Sequence, residues 1–201
     1  SEMCIRDSIS IEDAGLLAKN LGIEHSEISI KEMYESFSLA LKESFEGMGI
    51  DKTEENLQSR CRGVTLMALS NKLGFLVLTT GNKSEAAVGY STLYGDTAGG
   101  FSVLKDVSKT LVYELANYRN SLSVVIPKRI IERPPSAELA PDQKDTDSLP
   151  DYDRLDPIIE MYVEDDKSIQ EIINEGFDEK EVRRIVSLID FNEYKRRQAP
   201  L

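Results

Sequence analysis

Phe75-Leu76-Val77-Leu78-Thr79-Thr80, bounded by Gly74 and Gly81 and continuing as Asn82-Lys83-Ser84-Glu85, decides how this chain is read. A short apolar run between two glycines has the pattern of a strand buried on both faces, as strands of parallel sheets are. The polar residues come immediately after it, at the carboxyl end of the strand, where open α/β sheets place their ligands. A hydroxyl, a glycine turn and a carboxylate gathered there can meet a nucleotide and its metal ion. They can equally form a polar strand-to-helix turn in which Asn82 or Ser84 caps the next helix. On spacing alone both readings stand.

Upstream, residues 53–73 form the longest predicted helix, with Leu57, Cys61, Val64 and Ala68 on one stripe and Asn56 and Arg60 beside it. Before it, residues 11–21 read as an amphipathic helix with Ser10 as N-cap and Gly22 as the stop. The alternation Ile28, Ile30 predicts a short strand near residues 26–30. Residues 31–47 read as a helix presenting Met33, Phe37, Leu41 and Phe45. Downstream, residues 89–101 carry four glycines and predict a long loop, followed by a helix over about 106–119 that starts after Asp106 or Ser108. All seven prolines lie at Pro127 or later, and residues 133–157 mix them with aspartates, which predicts an extended loop. Helices over 156–163, 167–174 and 178–189 close the chain. Helix, strand, helix and strand in this order imply an α/β layer structure with a parallel sheet.

At 201 residues with a 40% apolar share the chain can bury the core of one domain. Its formal net charge of -12 repels nucleic acid, so no nucleic-acid partner is expected. A phosphorylated small molecule stays open, because backbone N–H groups and a few cations can hold phosphates in an acidic protein. No apolar run approaches the roughly 20 residues of a membrane span, so no membrane partner is expected. Two cysteines, Cys4 and Cys61, without metal-type spacing point to a reducing, cytoplasmic setting. His25 reads as a surface loop residue. The aspartates at 142, 145, 147, 151 and 153 fit no Ca²⁺ loop and read as a solvated loop.

Thr79-Thr80-Gly81-Asn82-Lys83-Ser84-Glu85 followed by Gly89-Tyr90-Ser91-Thr92-Leu93-Tyr94-Gly95-Asp96 resembles the most characteristic stretch of NAD synthetases. Further blocks resemble the family in the same order. They are Glu55-Asn56-Leu57-Gln58-Ser59-Arg60-Cys61-Arg62, Lys105-Asp106-Val107-Ser108-Lys109-Thr110, Pro134-Pro135-Ser136-Ala137-Glu138-Leu139, Asp145-Thr146-Asp147-Ser148-Leu149-Pro150-Asp151-Tyr152 and Asn192-Glu193-Tyr194-Lys195-Arg196-Arg197-Gln198. The resemblance implies a Rossmann-like adenine-nucleotide alpha-hydrolase fold. It also implies a two-step ligase reaction. ATP adenylates the nicotinate carboxylate of deamido-NAD and releases pyrophosphate; ammonia then attacks the acyl-adenylate, giving NAD and AMP. Adenylation makes a poor electrophile reactive, and Mg²⁺ offsets the charge of the departing pyrophosphate.

The resemblance also assigns residues. Thr80, Lys109 and Ser136 fall at ATP-contacting positions. Asn56, Arg60, Glu85 and Lys195 fall at deamido-NAD contacts, and Glu85 also at a Mg²⁺ ligand. Past the strand end, Glu85 is expected to face solvent and to matter little for folding. Leu93 and the Ala98-Gly99-Gly100-Phe101 version of the loop resemble the glutamine-dependent branch, whose ammonia comes from a glutaminase domain that is not recognisable here. A homodimer is implied. The family's Ser-Gly-Gly-x-Asp-Ser phosphate loop does not occur in the chain. Residues 1–8 resemble a translated adapter peptide, so the expected layout is a foreign segment at 1–8 and a partial, N-terminally truncated synthetase domain over 9–201. A chain so composed is expected to be inactive by itself. The rival reading is a non-catalytic fragment that binds dinucleotide or dimerises.

Overall fold

The computed structural model describes residues 8–140 and 143–201. The foreign segment expected at 1–8, with Cys4, lies outside the described residues apart from Ser8, as does Asp142. Helix α1 is Ser8–Leu21, α2 is Lys31–Leu41 and α3 is Lys52–Leu73. Strand β1, Leu78–Thr79, leads into α4, Lys83–Val88, and then to β2, Phe101–Ser102. Helices α5 (Lys109–Leu122) and α6 (Lys128–Glu132) follow, with a 3₁₀ turn at Asp145–Asp147. Then come α7 (Tyr152–Ile159), continued by a π-helical turn over Glu160–Glu164, α8 (Ile169–Asn174), α9 (Glu179–Phe191) and α10 (Glu193–Arg196).

β1 and β2 pair in parallel, Leu78 opposite Phe101 and Thr79 opposite Ser102, so β1, α4 and β2 form a βαβ unit. The expected parallel sheet is therefore present, but shorter than the apolar run. Among the described residues the sheet has two strands, and the run is not buried: Phe75 is 68% exposed and Leu76 65%. A parallel strand is covered only when layers stand on both faces, and here only one end of the run meets neighbours. The glycines that follow permit the pairing. Gly100 N–H donates to the Val77 carbonyl at 2.9 Å, and a Cβ at Gly99 would stand 2.6 Å from Thr79 Cγ2.

The core sits instead among the later helices. Leu155, Ile158 and Ile159 of α7, Ile172 of α8, and Val182, Ile185, Val186 and Ile189 of α9 close around Ala87 and Val88 of α4. A second, smaller cluster joins Ile30 and Tyr34 to Cys61.

Several expectations are corrected. No strand forms at 26–30; Ile30 instead starts α2, its carbonyl accepting from Tyr34 N–H at 2.9 Å. The α2 face that is buried belongs to Tyr34 rather than Phe37, which is half exposed, and the helix ends at Leu41. In α3 the predicted stripe holds at Leu57 and Cys61, which pack with Ile30 and Tyr34, but fails at Val64, which is exposed; Ser59 and Gly63 meet the polar loop around Tyr94–Asp96 instead. α1 begins at Ser8, so Ser10 lies inside it; its hydroxyl accepts from Arg133 Nη1 at 2.7 Å instead of capping. Other signals hold. Gly22, Gly74 and Gly89 end their helices with positive φ, and Ser108 caps α5 by accepting from Leu111 N–H. Asp51 and Asn82 each build a capping box. His25 is exposed.

Candidate functional site

Both readings of the turn after β1 are realised at once. Asn82 caps α4 by accepting from Glu85 N–H at 3.0 Å, and Glu85 Oε2 accepts from Asn82 N–H at 3.4 Å. The other Glu85 oxygen receives Lys109 Nζ at 2.9 Å. Glu85 is thus not the solvent-facing carboxylate expected from its place in the chain: its side chain is 19% exposed and that of Lys109 18%. Burial works to lower the Lys109 pKa, but the Glu85 carboxylate, with smaller help from Tyr113 and Asp145, outweighs it and leaves the ammonium above its ordinary value.

What brings Glu85 and Lys109 together is a buried carboxylate that sequence reasoning missed. Asp156 of α7 accepts from Ser84 Oγ through one oxygen and from Thr110 N–H (2.9 Å) and Thr110 Oγ1 (2.8 Å) through the other. Ser84 Oγ in turn accepts from Lys109 N–H at 2.8 Å. A negative charge beside the first turns of α4 and α5 is stabilised by both helix dipoles, and it locks residues 84 and 110, the sequence neighbours of Glu85 and Lys109. The signal available was a single Asp set among Leu155, Ile158 and Ile159, a position that is costly unless fully hydrogen-bonded.

The loop from Gly89 to Gly100 organises a second group. Thr92 Oγ1 donates to Asn56 Oδ1 at 2.9 Å, and Arg60 Nε donates to the Leu93 carbonyl at 3.2 Å. Lys195 Nζ donates to the carbonyls of Gly89 (2.7 Å) and Ser91 (2.8 Å). Burial pulls the Lys195 pKa below its ordinary value, against the opposing pull of Asp96. Ser59 Oγ donates to Asp96 Oδ1 at 3.0 Å and accepts from Asp96 N–H at 3.1 Å, and Gly95 is required there because a Cβ would meet Ser59 Oγ at 2.2 Å. Three residues ascribed to the dinucleotide, from α3 and from α10, therefore converge on one loop that begins where α4 ends.

A cavity of about 310 Å³ beside α4 is lined by Glu85, Tyr90, Ser91, Lys105, Lys195 and Arg196, among others. Thr80 is exposed just past β1. Ser136 lies apart from Glu85 in a turn where its Oγ accepts from Glu138 N–H at 3.0 Å. A shallower groove of about 550 Å³ between α2 and α3 gathers none of the assigned residues. As to Mg²⁺, no group of three or more Asp, Glu, His or Cys side chains that could cage a metal occurs among the described residues. Mg²⁺ usually takes one or two carboxylates and completes its shell with water and substrate phosphates. One carboxylate such as Glu85 suffices for that pattern, although its two oxygens here accept from Asn82 N–H and Lys109 Nζ.

A βαβ unit with a polar cluster past the carboxyl end of its strand is the arrangement of an α/β nucleotide-handling protein. Residues 4–199 match the NAD synthase family, and the chain belongs to it. It is 57% identical to the glutamine-dependent NAD(+) synthetase of Acinetobacter baylyi over 96% of this chain and 36% of that protein. The structure of the glutamine-dependent NAD+ synthetase of Acinetobacter baumannii in complex with ADP is 50% identical, with a TM-score of 0.63, over 97% of this chain and 35% of that one. The NMN synthetase of Francisella tularensis is 30% identical, with a TM-score of 0.78, over 97% of this chain and 73% of that one. The chain thus spans about 36% of the length of its A. baylyi relative. No described helix is long and apolar enough to cross a membrane.

Proposed function

We propose that the chain supplies the nucleotide- and dinucleotide-binding face of an NAD synthetase that amidates deamido-NAD with ATP. The observation that carries the reading is the convergence of Glu85 and Lys109 past β1 with Asn56, Arg60 and Lys195 around the loop that follows. Lys109 is a compact cation suited to phosphate oxygens, and its ion-pair partner in the structure is Glu85. Thr80 and Ser136 would add hydroxyl donors to the same nucleotide. Asn56 and Arg60 hold the loop at Thr92 and Leu93 and Lys195 holds it at Gly89 and Ser91, so a dinucleotide lying along the loop would meet both sets of residues. Glu85 would hold one Mg²⁺ position, the substrate phosphates supplying others. When bound, the ion would offset the negative charge that grows on departing pyrophosphate.

Glutamine-derived ammonia is proposed from the glutamine-dependent relatives; a homodimeric assembly is proposed from the family resemblance alone, and a cytoplasmic setting from the chain having only two cysteines. The Francisella relative is an NMN synthetase, so the mononucleotide is the competitor to test. Titration calorimetry of the 201-residue chain with deamido-NAD and with nicotinate mononucleotide makes that comparison. Tighter binding of deamido-NAD is expected, weakened by Arg60→Ala and by Lys195→Ala; preference for the mononucleotide would overturn the substrate assigned. The catalytic half is tested by Glu85→Gln in an active form that carries a Ser-Gly-Gly-x-Asp-Ser loop. Single-turnover pyrophosphate release should slow by roughly 10²-fold, on the order of 3 kcal/mol, as for the loss of one electrostatic stabiliser. Unchanged release would remove Glu85 from the chemistry.

A further inference from the structure

Asp145 does not behave as a loop aspartate. The proline- and aspartate-rich segment was expected to be solvated, and Asp147, Asp151 and Asp153 are exposed, but Asp145 is only 3% exposed. Its backbone is pinned on both sides. Its N–H donates to the Pro135 carbonyl at 3.0 Å, and its carbonyl accepts from Ser148 N–H (3.0 Å) and Leu149 N–H (2.9 Å). Its Oδ2 accepts from the Tyr152 hydroxyl at 2.7 Å. Its Oδ1 and the Tyr90 hydroxyl are both buried and lie near each other without forming a hydrogen bond of good geometry.

The contrast with Asp156 is informative. Asp156 is equally enclosed, but three donors use both of its oxygens. A carboxylate kept only for packing is normally satisfied in that way, since leaving a buried acceptor unpaired costs stability. Asp145 is half satisfied and is nevertheless present. Its one side-chain bond leads to a functional neighbour: the Tyr152 ring that it orients carries Lys109 Nζ at 5.5 Å from the ring centroid, a cation–π distance. Its backbone bond leads to the residue before Ser136.

We propose that Asp145 is a positioning residue: its carboxylate fixes the Tyr152 ring beneath the Lys109 ammonium, while its backbone holds the turn that presents Ser136. One buried group, 36 residues after Lys109 and nine after Ser136, would then set two side chains ascribed to ATP. The inference rests on the reading of Lys109 and Ser136 as ATP contacts.

The test uses the whole 201-residue chain with its lysines labelled with ¹³C at the ε carbon, and the Lys109 resonance assigned by its loss in Lys109→Arg. Spectra are taken at one fixed pH, so that Glu85, Tyr113, Tyr90 and Tyr152 keep their charge states. In the parent, Lys109 should show the displacement that a ring beneath the ammonium imposes. Asp145→Asn and Tyr152→Phe should each lose it, the second while keeping the ring itself, whereas Tyr90→Phe should retain it. A Lys109 resonance unchanged in both Asp145→Asn and Tyr152→Phe would overturn the proposal. Should Asp145→Asn fail to fold, Tyr152→Phe, which removes a single hydroxyl, decides alone. Addition of ATP to the labelled parent tests the functional reading separately, since Lys109 can report its ring contact whether or not it responds to the nucleotide.

Discussion

The run Phe75-Leu76-Val77-Leu78 is wholly apolar and the α7–α9 helices carry apolar stripes among charged residues, yet they end in opposite environments. Leu155, Ile158, Ile172, Val182 and Ile185 are all fully enclosed, whereas Phe75, Leu76 and Leu78 are more than half exposed. Helices close a core by turning their apolar stripes toward one another, and three short helices on α4 are enough for that. A parallel strand has two faces to cover and two edges to pair, and two strands with one crossover helix do not supply them. Stability in this chain therefore resides mainly in the helical cluster, while Glu85 and Lys109, the residues proposed to meet nucleotide, pair beside α4 where that cluster meets the sheet.

The largest effect expected from that division is Leu155→Ala. Removing a wholly buried leucine side chain should cost about 3–5 kcal/mol, read as an earlier thermal or urea transition. A loss under about 1 kcal/mol would mean that the helical cluster is not the stability centre. Gly89→Ala comes next. It forces a side chain into a left-handed φ of 69° with its Cβ 2.1 Å from Asn192, whose Nδ2 donates to the Val88 carbonyl at 3.0 Å. About 2 kcal/mol of destabilisation is expected, with weakened deamido-NAD binding because the same turn opens the loop held by Lys195.

Asp156→Asn sharpens the comparison at the seam. It keeps the shape but places an amide where three donors converge, so about 1–3 kcal/mol should be lost in melting. The Glu85–Lys109 pair should loosen with it: a double-mutant cycle between Glu85→Gln and Lys109→Met should show coupling in the parent and little in the Asp156→Asn background. Coupling of equal size in both would show that Asp156 does not set the pair. The smallest effect belongs to Leu76→Ser, which should change stability by less than about 0.5 kcal/mol, since that side chain is already 65% exposed. A substantial loss on thermal melting would reveal burial of the run in solution.

Much of this was legible in the residues. The glycine stops at 22, 74 and 89, the Ser108 cap, the three closing helices and the parallel pairing after the apolar run follow from local rules of backbone geometry and patterning. So does the polar cluster past β1, because strand-end position is a property of order along the chain. The ordered blocks that resemble the family added the assignments of Asn56, Arg60, Glu85, Lys109 and Lys195.

What only the tertiary structure decided is which face of each element meets a neighbour. The α3 stripe packs at Leu57 and Cys61 but is exposed at Val64 and Ala68, because periodicity records a helix's own amphipathicity, not how far along it a neighbour stands; a polar loop claimed the adjacent face at Ser59. Asp145 and Asp156 looked like two acids among many, since burial of a carboxylate depends on donors that arrive from distant residues, Tyr152 for one and Ser84 with Thr110 for the other. The exposed run at 75–78 has the same cause. Its pattern specifies a strand that could be buried, but only neighbouring layers can remove it from water, and pattern carries no information about whether they are there.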